Sequence, residues 1–242
     1  MNKIIKTKSN SENKEEEITS VVNRRLFLRS AGLATSLGTI VISACTTDDH
    51  DPNPQIPGTG DTVELGSGDV GVLNYAYALE QLEAAFYTQV IATPYAGMTD
   101  AERTILTDIR DHEIIHRDFF KAALGNGAIK GLTPNFSAID FNSRTAVLGA
   151  AKLFEDTGVA AYNGAGKLIK NGDYLLLAGK IVSVEARHAS VIRDLLNPKS
   201  ADFAGDDIVD ANGFDKAVAP ADILTAVKGY VKDTISGANV GK

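Results

Sequence analysis

The sequence predicts an all-α fold, an antiparallel four-helix bundle with a short C-terminal fifth helix, on three observations. Apolar residues recur at mixed three- and four-residue steps through four long segments, the period of helices that bury one face. A Glu-x-x-His pair stands inside the second segment (Glu113, His116) and again inside the fourth (Glu185, His188). The link between the second and third segments, residues 125–142, is long enough for a crossover rather than a tight turn. The chain has 242 residues, 44% of them hydrophobic and 23% charged, enough for one sizeable domain plus extensions.

Residues 1–44 are not part of that domain. A polar, lysine- and glutamate-rich start leads into Asn23-Arg24-Arg25-Leu26-Phe27-Leu28-Arg29 and then a mildly apolar run over residues 31–44. Fourteen residues are too few to span a bilayer as a helix. The stretch resembles a twin-arginine export signal, with Asn where Ser or Thr usually precedes the arginines, and Arg24 and Arg25 are the pair the twin-arginine export machinery would read. Ile42-Ser43-Ala44-Cys45 resembles a bacterial lipobox, which implies lipid on Cys45 and a membrane anchor. Cys45 is the only cysteine in the chain, so no intrachain disulfide can form and the fold must rest on packing, with or without metal. Without the leader the net charge is (24−7)−(31−4) = −10, and no basic stripe exists, which argues against a nucleic-acid partner. Residues 45–68 read as a tether; its acids, prolines and glycines have little to bury, and His50 among them reads as solvated.

The bundle proper is expected over residues 69–197. Its first helix, residues 69–91, places Leu73, Ala76, Leu79, Leu82, Phe86 and Val90 on one stripe, with Glu80 and Glu83 close by. The second starts at a capping box, Thr99 with Glu102, and stops at Gly125-Asn126-Gly127. The third covers residues 143–169 and carries Glu155, with Gly158, Gly164 and Gly166 available for close helix approach or a local bulge. The fourth follows the Asn171-Gly172 stop with Asp173 as N-cap, and ends before Pro198. The extension, residues 198–242, is irregular until a short helix over residues 220–235, which opens on Pro220. The first and third helices echo each other: Leu79-Glu80 has Tyr87 seven residues on, and Phe154-Glu155 has Tyr162 seven residues on. The chain thus contains one helical hairpin twice.

Three residues make about one helical turn, so each Glu points the same way as its His, and a carboxylate beside an imidazole near a core is costly unless something pairs with both. A lone pair of this kind is ordinarily a surface ion pair. Two of them in a chain with four histidines, each inside an apolar helix, point to metal ligation instead. One Glu from the first helix and a Glu-x-x-His from the second, given twice, is the ligand pattern of di-iron or di-manganese carboxylate bundles. On these residues the chain resembles ferritin-like proteins, and with the leader it is similar to bacterial twin-arginine-exported ferritin-like proteins related to desiccation-related proteins.

That resemblance implies two iron or manganese ions on Glu80, Glu113, His116, Glu155, Glu185 and His188, with Glu113 and Glu155 among the carboxylates able to bridge or shift. Glu80 is preferred to Glu83 because it matches the height of Glu113 in an antiparallel hairpin, whereas Glu83 would sit about one turn off at roughly 1.5 Å per residue; Glu83 is read as a rim carboxylate or an alternate ligand. Tyr87 and Tyr162 could hydrogen-bond ligands or carry an electron, or simply pack. His112 is read as pointing away from His116, at the surface or behind the ligands. Asp111, Asp118, Arg187 and Asp194 are read as a charged outer face rather than partners of the imidazoles.

The function so implied is a di-metal oxidoreductase, a ferroxidase or a manganese-catalase-like enzyme, acting on Fe(II), O2 or peroxide in envelope stress protection. Its expected place is the bacterial cell envelope, exported and lipid-anchored, on the periplasmic side or the outer surface. The alternatives are a non-catalytic metal-binding or storage protein, and a metal-free stress-associated structural bundle.

Overall fold

The computed structural model describes residues 62–242; the leader with Arg24 and Arg25, Cys45, and the tether with His50 lie outside the described residues. In chain order the elements are β1 (Thr62–Glu64), α1 (Gly68–Ala92), α2 (Asp100–Leu124), α3 (Arg144–Gly166), α4 (Gly172–Leu196), α5 (Pro220–Val227) and β2 (Thr234–Ser236). The expected all-α bundle is present. α1 packs along α2 and α3 along α4, and α1 also meets α3 across the middle. No helix among the described residues is long and apolar enough to cross a membrane.

Local chemistry accounts for most of the boundaries. The Thr99 capping box forms, with the Glu102 backbone N–H donating to Thr99 Oγ1 at 3.2 Å and the Thr99 N–H donating to Glu102 Oε2 at 2.9 Å. Gly125 ends α2 at φ +53°, a conformation that suits glycine. Two boundaries differ from expectation. The cap of α4 is Asn171 rather than Asp173: its Oδ1 accepts from the N–H groups of Asp173 and Tyr174, so the residue read as a stop signal also starts the next helix. Helix α5 ends at Val227 rather than at residue 235, because the chain turns through residues 228–230 into β2.

β2 pairs in parallel with β1, Val63 opposite Ile235, so residues 62–64, read from sequence as the end of the tether, are held as a strand. Val63 is the buried member of that three-residue strand. Asn74 secures the junction: its amide donates to the carbonyls of Leu65 and Gly127 at 3.1 and 2.9 Å, and its Oδ1 accepts from Ile129 N–H at 2.9 Å.

The crossover and the extension close the bundle. Phe136 and Phe141 of the crossover pack with Phe86, and Phe154 meets both Phe86 and Tyr230 edge-on at 4.9 and 4.8 Å between centroids. The extension lies directly on α3, where Val218 N–H donates to Ala160 O at 3.0 Å. Gly164 permits this approach, since a Cβ there would fall 1.8 Å from the Val218 carbonyl oxygen. Gly158 admits something else, a carboxylate described below.

Candidate metal centre

Each long helix delivers its acidic residue to one place inside the bundle. Glu80 of α1, Glu113 of α2, Glu155 of α3 and Glu185 of α4 are all fully buried, with His188 at 4% exposure beside them. Helical periodicity makes this happen: the carboxylates occupy core positions of their stripes, where a Leu or Ile would otherwise stand. The donor atoms form two groups, Glu80, Glu113, His116 and Glu185, and Glu113, Glu155, Glu185 and His188, each within 4.8 Å of one another. All six residues expected at the centre are therefore brought together.

The arrangement is close to two-fold. His116 Nδ1 lies 2.8 Å from Glu185 Oε1, 3.5 Å from Glu80 Oε2 and 3.8 Å from Glu113 Oε2. His188 Nδ1 lies 2.7 Å from Glu113 Oε1, 3.4 Å from Glu155 Oε2 and 3.7 Å from Glu185 Oε2. Glu113 and Glu185 each give one oxygen to either group, so the shared carboxylates are these two, whereas Glu155 gives its inward oxygen to one group only. The helices that carry a Glu-x-x-His supply the shared Glu, and α1 and α3 supply the terminal ones.

The tyrosine echo has a crossed outcome. Tyr87 of α1 donates to Glu155 Oε1 of α3 at 2.5 Å, and Tyr162 of α3 donates to Glu80 Oε1 of α1. Each terminal carboxylate is thus held by a phenol from the opposite hairpin, with its other oxygen aimed inward.

Glu83 is not at a rim. It is 3% exposed, and a Cβ on Gly158 would lie 2.9 Å from its Oε1 and 3.8 Å from Glu185 Oε2. Gly158 is the position on α3 that corresponds to Glu83 on α1 in the repeat, so the second half of the repeat has given up a side chain where the first half places a fifth carboxylate. Tyr75, two turns before Glu83, has a buried hydroxyl with no hydrogen-bond partner among the described residues.

His112, expected at the surface or behind the ligands, is exposed and does stand behind one of them, although residues four apart share a helix face and it is not turned away from His116 as the sequence reading has it. Its Nδ1 lies 2.9 Å from His188 Nε2, the nitrogen that faces out of the centre. The remaining polar candidates do form an outer face: Asp111 pairs with Arg110, Asp118 with Arg117, and Asp194 accepts from Lys199 N–H, while Arg187 is exposed.

The electrostatics follow from burying like charges. Burial pushes Glu80 and Glu113 above the usual carboxylate range and brings Glu155 up to about 7, although His188 works against it. Glu83 is raised well above the usual carboxylate range by burial and by the charges of Glu113, Glu185, Glu155 and Glu80, which favours its neutral acid form. Burial also raises Glu185, but the two imidazoles outweigh it and bring the carboxyl down to about 2. For His116 burial disfavours the charged ring, yet Glu113, Glu185 and Glu80 carry it up to about 12.

Whether these residues fit a metal can be judged from their lone pairs. Glu80 Oε2, both oxygens of Glu113 and of Glu185, Glu155 Oε2, and the Nδ1 atoms of His116 and His188 are buried and have no aligned hydrogen-bond partner among the described residues. The N···O separations above are short, but the hydrogens do not point along them. A polar network built for its own sake satisfies itself; here eight donor atoms face a common interior instead. Carboxylate oxygens with one imidazole per group are a donor set that fits metal ions, and the two groups could each hold one.

Fold and centre together define a four-helix bundle protein with an internal carboxylate and imidazole site of the kind that could hold metal ions. The family described as the ferritin-like domain matches residues 68–198, and the chain belongs to that family. None of the curated proteins compared with the chain matches it.

Proposed function

We propose that this protein is a di-metal carboxylate oxidoreductase that holds two iron or manganese ions and acts on Fe(II), O2 or peroxide. The observation that carries the reading is the convergence of eight buried, unpartnered donor atoms from four helices. Two adjacent redox-active ions can together exchange two electrons with an oxidant, which is the chemistry they would supply here. The four ligand carboxylates contribute 4 × (−1) and two divalent ions 2 × (+2), a sum of zero, so Glu83 fits best as a neutral acid next to the centre, able to give a proton or to serve as a replacement ligand.

The chain's own residues keep the site dry and preset. Tyr87 and Tyr162 fix the terminal carboxylates, the shared carboxylates span both positions, and solvent comes nearest at the α2 and α4 side, where the His116 side chain is 12% exposed. The leader and lipobox support an exported, lipid-anchored protein of the bacterial envelope that crosses the membrane folded and already metal-loaded, with a role in stress protection.

Elemental analysis of the protein purified without chelators, beside the Glu113→Ala/Glu185→Ala variant, tests the reading. About two iron or manganese ions per chain are expected, lost in the variant. Metal at the variant's background even after reconstitution would leave a structural bundle. Two ions with no turnover of peroxide or Fe(II) would leave a metal-binding or storage protein.

A further inference from the structure

The near two-fold symmetry of the centre is broken at one hydrogen bond. In the repeat, α2 and α4 correspond with an offset of 72 residues, which takes Glu113 to Glu185 and His116 to His188. The same offset takes His112 to Val184, so only one of the two imidazoles has a nitrogen base standing behind it. His112 Nδ1 is 2.9 Å from His188 Nε2, the ring planes lie within 12° of each other, and the centroids are 5.2 Å apart. That centroid separation is what two imidazoles give when they meet edge to edge in a shared plane, so the N–H of one points straight at the lone pair of the other.

The direction of the bond follows from the other nitrogen. His188 Nδ1 faces Glu113, Glu155 and Glu185, so its lone pair is the one available to an ion and the ring proton belongs on Nε2. Nε2–H then donates and His112 Nδ1 accepts, with the second His112 nitrogen left to solvent on an exposed side chain. For His116 the corresponding neighbour, Val184, can accept nothing.

Resting on the di-metal reading above, we propose that His112 is a positioning residue that orients His188 and makes the two ion positions unequal, so that the ion at His188 binds first and more tightly. An acceptor behind a ligating imidazole fixes its tautomer and ring orientation and raises its basicity, and removal of such a partner ordinarily lowers metal affinity about 10- to 100-fold. The two halves of the repeat thereby carry the same ligands with different affinities. A centre filled in order holds a single ion before the pair is complete.

The test is an anaerobic titration of the full, metal-stripped chain with Mn(II), followed by electron paramagnetic resonance, which separates an isolated ion from a coupled pair. The natural protein is expected to show isolated Mn(II) up to the first equivalent and the coupled signal only with the second. In His112→Val the first step should weaken about 10- to 100-fold, so that the two steps merge. His112→Asn, whose amide oxygen stands near the place of Nδ1, should restore the separation. Metal-free His112→Val should melt with the natural protein, since the side chain is exposed. Unchanged stepwise binding in His112→Val, or a loss that His112→Asn does not repair, overturns the role of His112. No Mn(II) bound by the natural protein above the Glu113→Ala/Glu185→Ala background overturns the di-metal reading itself, a different result from either of these.

Discussion

Two clusters of charge reach into this bundle, and they are built on opposite principles. At Arg193, which is 2% exposed on α4, all five guanidinium N–H groups are used: Nε and Nη2 donate to Asp156 at 2.8 and 2.7 Å, Nη1 and Nη2 to Asp207 at 2.9 and 2.8 Å, and Nη1 to the Asp202 carbonyl at 3.1 Å. This fork ties α3, α4 and the C-terminal extension together and leaves nothing unpaired. At the Glu/His centre, one residue along α3 from Asp156, the carboxylates crowd one another and point their free lone pairs inward. The first cluster is complete as protein; the second leaves buried donor atoms that cations could fill. The same helices carry both, and hydrogen-bond satisfaction, more than the presence of charge, separates the structural cluster from the ligand site.

The largest expected effect breaks the second cluster. Metal should raise the stability of the natural protein by about 4 kcal/mol when its free concentration is roughly a thousand times the dissociation constant. The Glu113→Ala/Glu185→Ala variant should lose that increment entirely, while its metal-free form melts only modestly below the natural metal-free protein, because relief of repulsion among the buried carboxylates offsets part of what their pairing with His116 and His188 contributes. Calorimetry of both proteins with and without Mn(II) checks this. A metal-free variant that is strongly destabilised would mean that the carboxylates support the fold by themselves.

Next comes the Arg193 fork. Arg193→Met should cost about 3 kcal/mol, at the low end for a broken buried pair because Asp207 is largely exposed and can rehydrate. The cost should be the same with and without metal, as measured by urea unfolding in both states. A loss seen only in the metal-loaded protein would merge the two clusters into one functional unit.

Titration divides the clusters more finely. In the metal-free protein Glu155 titrates near 7, above its ordinary value, because burial favours the neutral acid. The folded state then binds more protons than the unfolded chain, so this contribution is full at low pH and is lost as pH rises through 7. His116, held up to about 12 by its carboxylates in spite of burial, has the same sign, with its contribution beginning to fall above the ordinary histidine range. Glu185, brought down to about 2, contributes fully across neutral pH and loses its part only in acid. Asp207, which Arg193 holds below the usual range, behaves likewise. From pH 5 to 8 the metal-free protein should therefore lose stability, whereas the metal-loaded protein should gain, since ions bind the deprotonated ligands. Denaturant midpoints across that range read both slopes, and parallel slopes would contradict the comparison.

Much of this was legible in the sequence where a single helix carries the information. The Glu-x-x-His pairs and the Thr99 capping box depend on rise and period within one element. His112 was equally local: four residues before His116, it shares that helix face, and the spacing alone argued against turning it away. The Arg193 fork was not legible, because its partners lie 37 and 14 residues off and meet only after the extension folds back. Neither was the parallel pairing of Val63 with Ile235, which joins the two ends of the domain. The burial of Glu83 needed its opposite number, Gly158, and the pairing of α1 with α3 that sets one against the other.

The crossed tyrosines give the smallest effect and the sharpest division, since Tyr87 holds the terminal carboxylate of the His188 group and Tyr162 that of the His116 group. Tyr87→Phe and Tyr162→Phe should each cost the metal-free protein about 1 to 2 kcal/mol by leaving one buried carboxylate oxygen without its donor. Their effects on metal should part company: Tyr87→Phe should weaken the position at His188, and Tyr162→Phe the one at His116, each resolvable in a stepwise Mn(II) titration. Because the phenols come from opposite hairpins, each substitution at one half of the repeat acts on the terminal ligand contributed by the other. Equal weakening of both positions by either variant would mean that the terminal carboxylates move as one unit, and that the two halves of the centre are distinguished only by what stands behind His188.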